Sequence, residues 1–306
     1  MAFELQPRYF VPFDRTYADV TAAIEAAAAK LRSPDADWLR RLIASFQHER
    51  DLWNQRTDLE PYRERWMQLD SKLSRLAAGA YLHIGYDLPR ALADDWPGIN
   101  NWLGGPREAE AEGETIYFRL RHIFPDQLAR SARSRKTVGL LAWIFQWAPR
   151  GALNAMGIWV DALRRGAWQH GRILSRSSNR SYIESKMAEA MAAALEDASI
   201  YRPWSFFEMR SPDSAFYSST IASLGALVAA IGPVLSHLSA GILGAYTIAK
   251  WIEWNWRLRS EISFIRLWGY LTTDYLEAAV SEPEGFAAHR ERRRSELGLR
   301  AFRPLA

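Results

Sequence analysis

The chain contains no cysteine, which excludes disulfides, thiolate metal ligands and a cysteine nucleophile and fits a reducing compartment. It also lacks the period-two alternation of half-buried strands, internal repeats and low-complexity tracts. Familiar nucleotide-binding and catalytic patterns are missing: there is no G-x-x-x-x-G-K, no G-x-G-x-x-G, no G-x-S-x-G elbow and no H-E-x-x-H. The opening residues, MAFELQPRYFVPFDR, show no basic start followed by an apolar core. A secretory signal is therefore not expected, and a cytoplasmic location is. Positive charge is in excess by only four. The last residues carry all of it: Arg290, Arg292, Arg293, Arg294, Arg300 and Arg303 stand against Glu291 and Glu296. A second basic cluster joins Arg130, Arg133, Arg135 and Lys136. Neither is interleaved with stacking aromatics, so nucleic acid is disfavoured as a partner. Solvated helix faces with a frayed tail, or attraction to anionic lipid, fit better.

Aromatic residues are plentiful: 14 Trp, 12 Tyr and 13 Phe in 306 residues. That density implies thick packing, an apolar pocket or contact with a membrane interface. The periodicity is helical nearly throughout. Residues 17–31 place Tyr17, Val20, Ile24, Ala27 and Leu31 on one stripe. Ser33-Pro34 then starts a second helix through Trp38, Leu42, Phe46 and Trp53. A third is expected from near Pro61 through Trp66, Leu69, Leu73, Leu76 and Ala80. Pro89 should kink or end it. Residues 104–115, GGPREAEAEGET, read as a polar loop. Residues 153–200 read as two helices broken around Ser175–Ser181.

Ser214 to Ala249 carries no formal charge over thirty-six residues. As one helix it would span about 54 Å at 1.5 Å per residue, against roughly 30 Å of bilayer hydrocarbon. Gly232-Pro233 divides it into two arms, and Gly225, Ala229, Gly241 and Ala245 are spaced for close helix approach. A hairpin buried in a soluble core, a monotopic or re-entrant membrane hairpin and a single kinked span all remain open. The flank KWIEWNWRLR, with Trp251, Trp254 and Trp256 among Lys250, Arg257 and Arg259, has the composition of an interfacial belt.

One compact group could carry chemistry. His83 and Asp87 are four apart, on one face of a helix, beside apolar Leu76 and Ala80. They read either as a structural clasp or as half of a metal or acid–base site. The pattern H-I-x-x-D recurs at His122–Asp126, as HIFPD, although Pro125 disfavours a continuous helix there. Two such pairs with Asp70 as a fifth donor would suit zinc or manganese, holding water as a nucleophile. His170 reads as a packed or solvated helix residue, His237 as a neutral core or pocket group, and His48 and His289 as exposed ones.

The residues W-x-x-L-D (Trp66 to Asp70), H-I-x-x-D-L-P-x-A-L (His83 to Leu92) and I-N with a following leucine (Ile99, Asn100, Leu103) resemble a bacterial helical family catalogued as domain of unknown function 5995. The later R-x-x-A-W-x-x-x-x-x-L, Arg164 to Leu174, is similar to its second block. Gly85 departs from the Asn usual in that family. The resemblance implies a helical fold and the importance of these residues, without a reaction. A remoter likeness is to the zinc-dependent phospholipase C and nuclease superfamily, whose all-helical enzymes use H-x-x-x-D ligand pairs.

These readings give an all-α multi-helix bundle with a C-terminal apolar helical hairpin. Residues 1–205 form a helical domain, 206–280 the hairpin with its aromatic and basic flank, and 281–306 a basic tail. The expected activity is metal-dependent hydrolysis of a lipid or other apolar substrate, with His83 and Asp87 catalytic and His83, Asp87, His122, Asp126 and Asp70 as metal ligands. The alternative is a non-catalytic helical protein that binds an apolar small molecule or the inner face of the membrane, with His83–Asp87 as a clasp.

Overall fold

A computed structural model describes residues 7–31, 33–69, 71–102, 106–119, 123, 147–200 and 261–297. Among them every regular element is helical and no strand occurs. In order they are α1 (Pro7–Ala28), α2 (Ser33–Asp51), α3 (Glu60–Met67), α4 (Lys72–Leu82), a π-helical turn (His83–Asp87) and α5 (Leu88–Trp102). Then follow α6 (Pro106–Arg119), α7 (Trp147–Arg176), α8 (Arg180–Ile200), α9 over 261–281, a 3-10 turn (Pro283–Gly285) and α10 (Phe286–Glu296). The expected hairpin over 214–249 and its tryptophan-rich flank lie outside the described residues.

The rod formed by α4, the π turn and α5 is the axis of the bundle. Every residue from Leu76 to Ala93 is buried. α1 packs on α4, α2 and α6 on α5, and α7 along much of α5. Gly171 permits that last contact: a Cβ there would sit 2.7 Å from Leu92 Cβ and 3.1 Å from the Pro89 carbonyl oxygen. α8 is rich in alanine and buries several of its faces, with Ala188, Ala190, Ala193, Ala194 and Ala198 all inside. Trp38, Trp53, Trp66, Trp96, Trp168 and Trp268 are fully buried. Each such ring removes on the order of 200 Å² from water, roughly 5 kcal/mol of gross transfer free energy. α9 joins the same core: the Tyr81 hydroxyl donates to the Ile265 carbonyl, 3.1 Å, and Trp268 packs on Tyr81 and Tyr62.

Three local expectations are corrected. The helix expected to run unbroken from Pro61 to Ala80 stops at Met67, and Ser71 starts a new one as N-cap, accepting from the Ser74 N–H at 3.0 Å. A capping serine offers the backbone an alternative to continued helix. The segment read as a polar loop over 104–115 is largely helix α6. Pro106 is well placed to open a helix, alternating Glu and Ala are strong helix formers, and Ile116 and Tyr117 anchor its end in the core. Pro89 neither ends nor breaks the rod. The backbone widens over His83–Asp87, the Leu88 N–H reaches back to the His83 carbonyl, and Pro89 falls in the first turn of α5, where a missing donor costs least.

The segment read as a basic tail contains a docked helix. Arg290 of α10 donates to both carboxylate oxygens of buried Asp197, at 2.9 and 2.8 Å, and Arg293 pairs with Asp274 at 2.8 Å. His289, expected to be exposed, also contacts Asp274, with Nε2 2.7 Å from the carboxylate. The arginine excess is therefore partly matched by acids on α8 and α9, Asp197 lying 93 residues away in sequence.

Candidate functional site

The π turn places His83 and Asp87 side by side. His83 Nδ1 lies 2.8 Å from Asp87 Oδ2, and both side chains are buried, 1% and 0% exposed. A π turn within an α-helix often marks a functional position. Here it projects the pair toward α1 and α2. Trp53, in the turn after α2, donates its indole N–H to the same Asp87 Oδ2 at 2.6 Å. Arg63 holds that turn by donating to the Trp53 and Arg56 carbonyls.

The imidazole is packed tightly among aromatic rings. Phe46 stacks on it with centroids 3.4 Å apart and planes 8° apart. Tyr17 meets it edge-on at 4.8 Å and Trp53 at 5.7 Å. The far side of the π turn is equally tight. Gly85 faces Leu276, Leu163 and Met191, and a Cβ there would come 2.8 Å from Leu276 Cδ1. An asparagine at 85 would need that leucine to move.

Burial sets the charge state. It drives the His83 pKa well below its ordinary value, helped by the nearby Arg50 and opposed by Asp51. Burial likewise drives Asp87 well above the carboxylate range, although the Trp53 N–H and Arg56 oppose it. Both directions favour an uncharged pair sharing one proton between Nδ1 and Oδ2. The close contact is thus a hydrogen bond between neutral groups, which avoids the large cost of burying charge. Asp87 Oδ1 is buried and has no hydrogen-bond partner among the described residues.

Beyond the pair lies a ladder of charged groups. Arg56 donates to Glu49 at 2.5 Å and to the Tyr86 hydroxyl at 3.3 Å, and Tyr86 donates to Asp58. Arg90 stands 3.1 Å from Glu49 and 3.1 Å from Glu184, and Arg180 joins Glu184 to Asp94 at 2.7 and 2.6 Å. Sequence reasoning singled out none of these residues, nor Trp53 or Phe46 as partners of the pair. The one available signal was that Tyr17, Phe46 and Trp53 share the apolar stripes of their helices.

Of the expected metal ligands, the structure brings His83 and Asp87 together, facing each other. Asp70, His122 and Asp126 lie outside the described residues, and no group of three or more His, Cys, Asp or Glu suited to a metal occurs among the described ones. In this geometry Asp87 orients the imidazole, and only Nε2 remains as a ring nitrogen for an ion. His170, expected to be packed or solvated, is buried, with Nε2 3.1 Å from Glu277. Among the described residues no helix is long and apolar enough to cross a membrane. No protein-family model, curated protein or solved structure matches the chain.

Proposed function

We propose that this is a non-catalytic helical protein that works through apolar contacts, with His83–Asp87 as the clasp that pins the central rod to α2. The observation that carries this reading is the flat stack of Phe46 on His83, 3.4 Å away, around a pair that burial keeps uncharged. A general base or metal ligand needs an approach to its reacting atom; a clasp needs only enclosure and mutual hydrogen bonding. The working surface in this reading is the uncharged Ser214–Ala249 stretch with the Trp251, Trp254 and Trp256 belt, and its partner is an apolar small molecule or the inner membrane face. The family resemblance, domain of unknown function 5995, is part of the proposal and adds no reaction to it.

A second reading is supported by Asp87 Oδ1, a buried acceptor with no partner among the described residues. Such an atom suits a site completed by a further donor or an ion. There His83 would be a ligand through Nε2, Asp87 its orienting carboxylate, and His122, Asp126 and Asp70 the remaining ligands of a zinc- or manganese-dependent hydrolase. The ion would supply activated water, and this chain's part would be to hold the imidazole in one orientation.

Metal content separates the two. Protein purified without a metal-affinity column is measured by elemental mass spectrometry beside His83→Ala. The clasp predicts no bound metal and a less stable variant. One equivalent of metal in the wild type, lost in a variant that keeps its helical signal, would sink the clasp and establish the hydrolase reading. The apolar partner is tested by flotation with anionic vesicles: binding should fall in a Trp251, Trp254, Trp256→Ala triple variant.

A further inference from the structure

The charged ladder beside the clasp has a property its individual pairs do not show. Four carboxylates (Asp58, Glu49, Glu184 and Asp94) face three guanidiniums (Arg56, Arg90 and Arg180) in one continuous chain of contacts. Arg63 also feels the charges of Glu60 and Asp58. The outer carboxylates keep water to share their charge: Asp94 is 48% exposed and Asp58 is also exposed. Glu49, 7% exposed, is the deepest of the four. Its compensation is incomplete. Arg56 gives it one aligned hydrogen bond but also serves Tyr86. Arg90 lies within ion-pair distance of Glu49 and of Glu184, yet aims neither its Nε nor its Nη1 hydrogens along a hydrogen bond to them. From α5 and α8, Asp94 and Glu184 add negative potential, while Asp87 in the π turn, held uncharged, adds none.

We propose that Glu49 is a proton-operated latch: taking up a proton there balances the ladder and holds the end of α2, with Phe46 and Trp53, against the π turn. When Glu49 ionises, one buried negative charge is left in excess, and the 52–59 turn, whose side-chain tie to the Glu49 carboxylate runs through Arg56, loosens. Burial supports this placement, lifting the Glu49 carboxyl to about 7 against the opposing pull of Arg56. A folded-state pKa raised from 4.5 makes the stabilisation complete below about 4.5 and lost as pH rises through about 7. The latch stands whether the neighbouring His83 is a clasp or a ligand, because it depends on neither.

The test is amide hydrogen exchange on the full chain, read as protection factors for residues 49–58 at pH 5.5 and pH 8, in wild type and Glu49→Gln. Glutamine keeps the size of Glu49 and mimics its protonated form. Wild type should lose protection by about tenfold to a hundredfold between the two pH values, and Glu49→Gln should keep it at both. Equal protection of wild type at both pH values, or a Glu49→Gln variant that loses protection at pH 5.5 as well, would overturn the latch and make Glu49 an ordinary ionised partner of Arg56. Should that variant not fold, infrared spectroscopy of wild type labelled with 13C-carboxyl glutamate decides the matter. A protonated glutamic acid band that disappears with a midpoint near pH 7 supports the latch, and its absence at pH 5.5 refutes it.

Discussion

The rings of Phe46 and His83 lie face to face, 3.4 Å between centroids and 8° from parallel. This contact ties α2 to the π turn and fixes the imidazole so that Nδ1 faces Asp87. Stacking suits a neutral imidazole, which has little hydration to give up on burial. Phe46→Ala should therefore cost about 3–5 kcal/mol, as other large aromatic truncations do, and Phe46→Leu distinctly less. Urea unfolding followed by far-UV circular dichroism measures both.

Trp53 and His83 meet at one atom, Asp87 Oδ2, so their contributions should not add. Trp53→Phe keeps the ring and removes the N–H donor, with an expected loss of about 1–3 kcal/mol. In an Asp87→Leu background, where no acceptor remains, the same substitution should cost much less. Equal costs in both backgrounds would show that the indole contributes packing alone.

The lowered pKa of His83 sets an acid limb of stability. Its unfolded form binds a proton below about 6.5, whereas the folded form resists it. Stability from His83 is thus present above pH 6.5 and drains away as pH falls below it. Glu49 and Asp87, both held above the carboxylate range, act in the opposite sense, so the limb is best seen in an Asp87→Asn, Glu49→Gln variant. Adding His83→Phe should flatten that variant's stability profile between pH 4 and pH 6.5, measured as thermal midpoints across the range.

Gly85 supplies a steric prediction. Gly85→Ala drives a methyl to 2.8 Å from Leu276 Cδ1 and should destabilise by about 1–3 kcal/mol. Leu276→Val withdraws the crowding atom. The double variant should be more stable than the sum of the two single losses predicts, and strict additivity would show that the strain is relieved elsewhere.

Asp197 is fully buried, with Arg290 bound to both its oxygens and the Tyr275 hydroxyl donating to it at 2.9 Å. Arg290→Ala should cost about 3 kcal/mol or more, because it strands most of a buried charge. Asp197→Asn combined with Arg290→Ala should recover part of that loss. Thermal unfolding of the set in low salt tests both statements.

The resemblance between sequence pattern and structure is closest where a rule is local. Helical periodicity gave the all-α class, and four-residue spacing placed His83 beside Asp87. Where the reading went astray, another local rule prevailed: Ser71 as a cap against a continued stripe, and Glu–Ala helix propensity against a loop in 106–119. The π turn is subtler, since Pro89 signals trouble in the helix without saying whether the backbone ends, kinks or widens. Asp70, His122, Asp126 and the uncharged stretch 214–249 lie outside the described residues.

Tertiary structure alone decided what surrounds the pair. Phe46, Trp53 and Tyr17 come from helices whose rotation and crossing with the central rod depend on the whole packed core. So do the partners of the charges: Arg290 finds Asp197 and Arg90 finds Glu184 across 93 and 94 residues of chain. The sequence by itself determined the all-helical class, the absence of thiol chemistry and the His83–Asp87 contact, because each follows from composition or from neighbours within one turn. The charge state of that contact belongs to the fold, because desolvation is a property of everything packed around a group and not of the residues beside it in the chain.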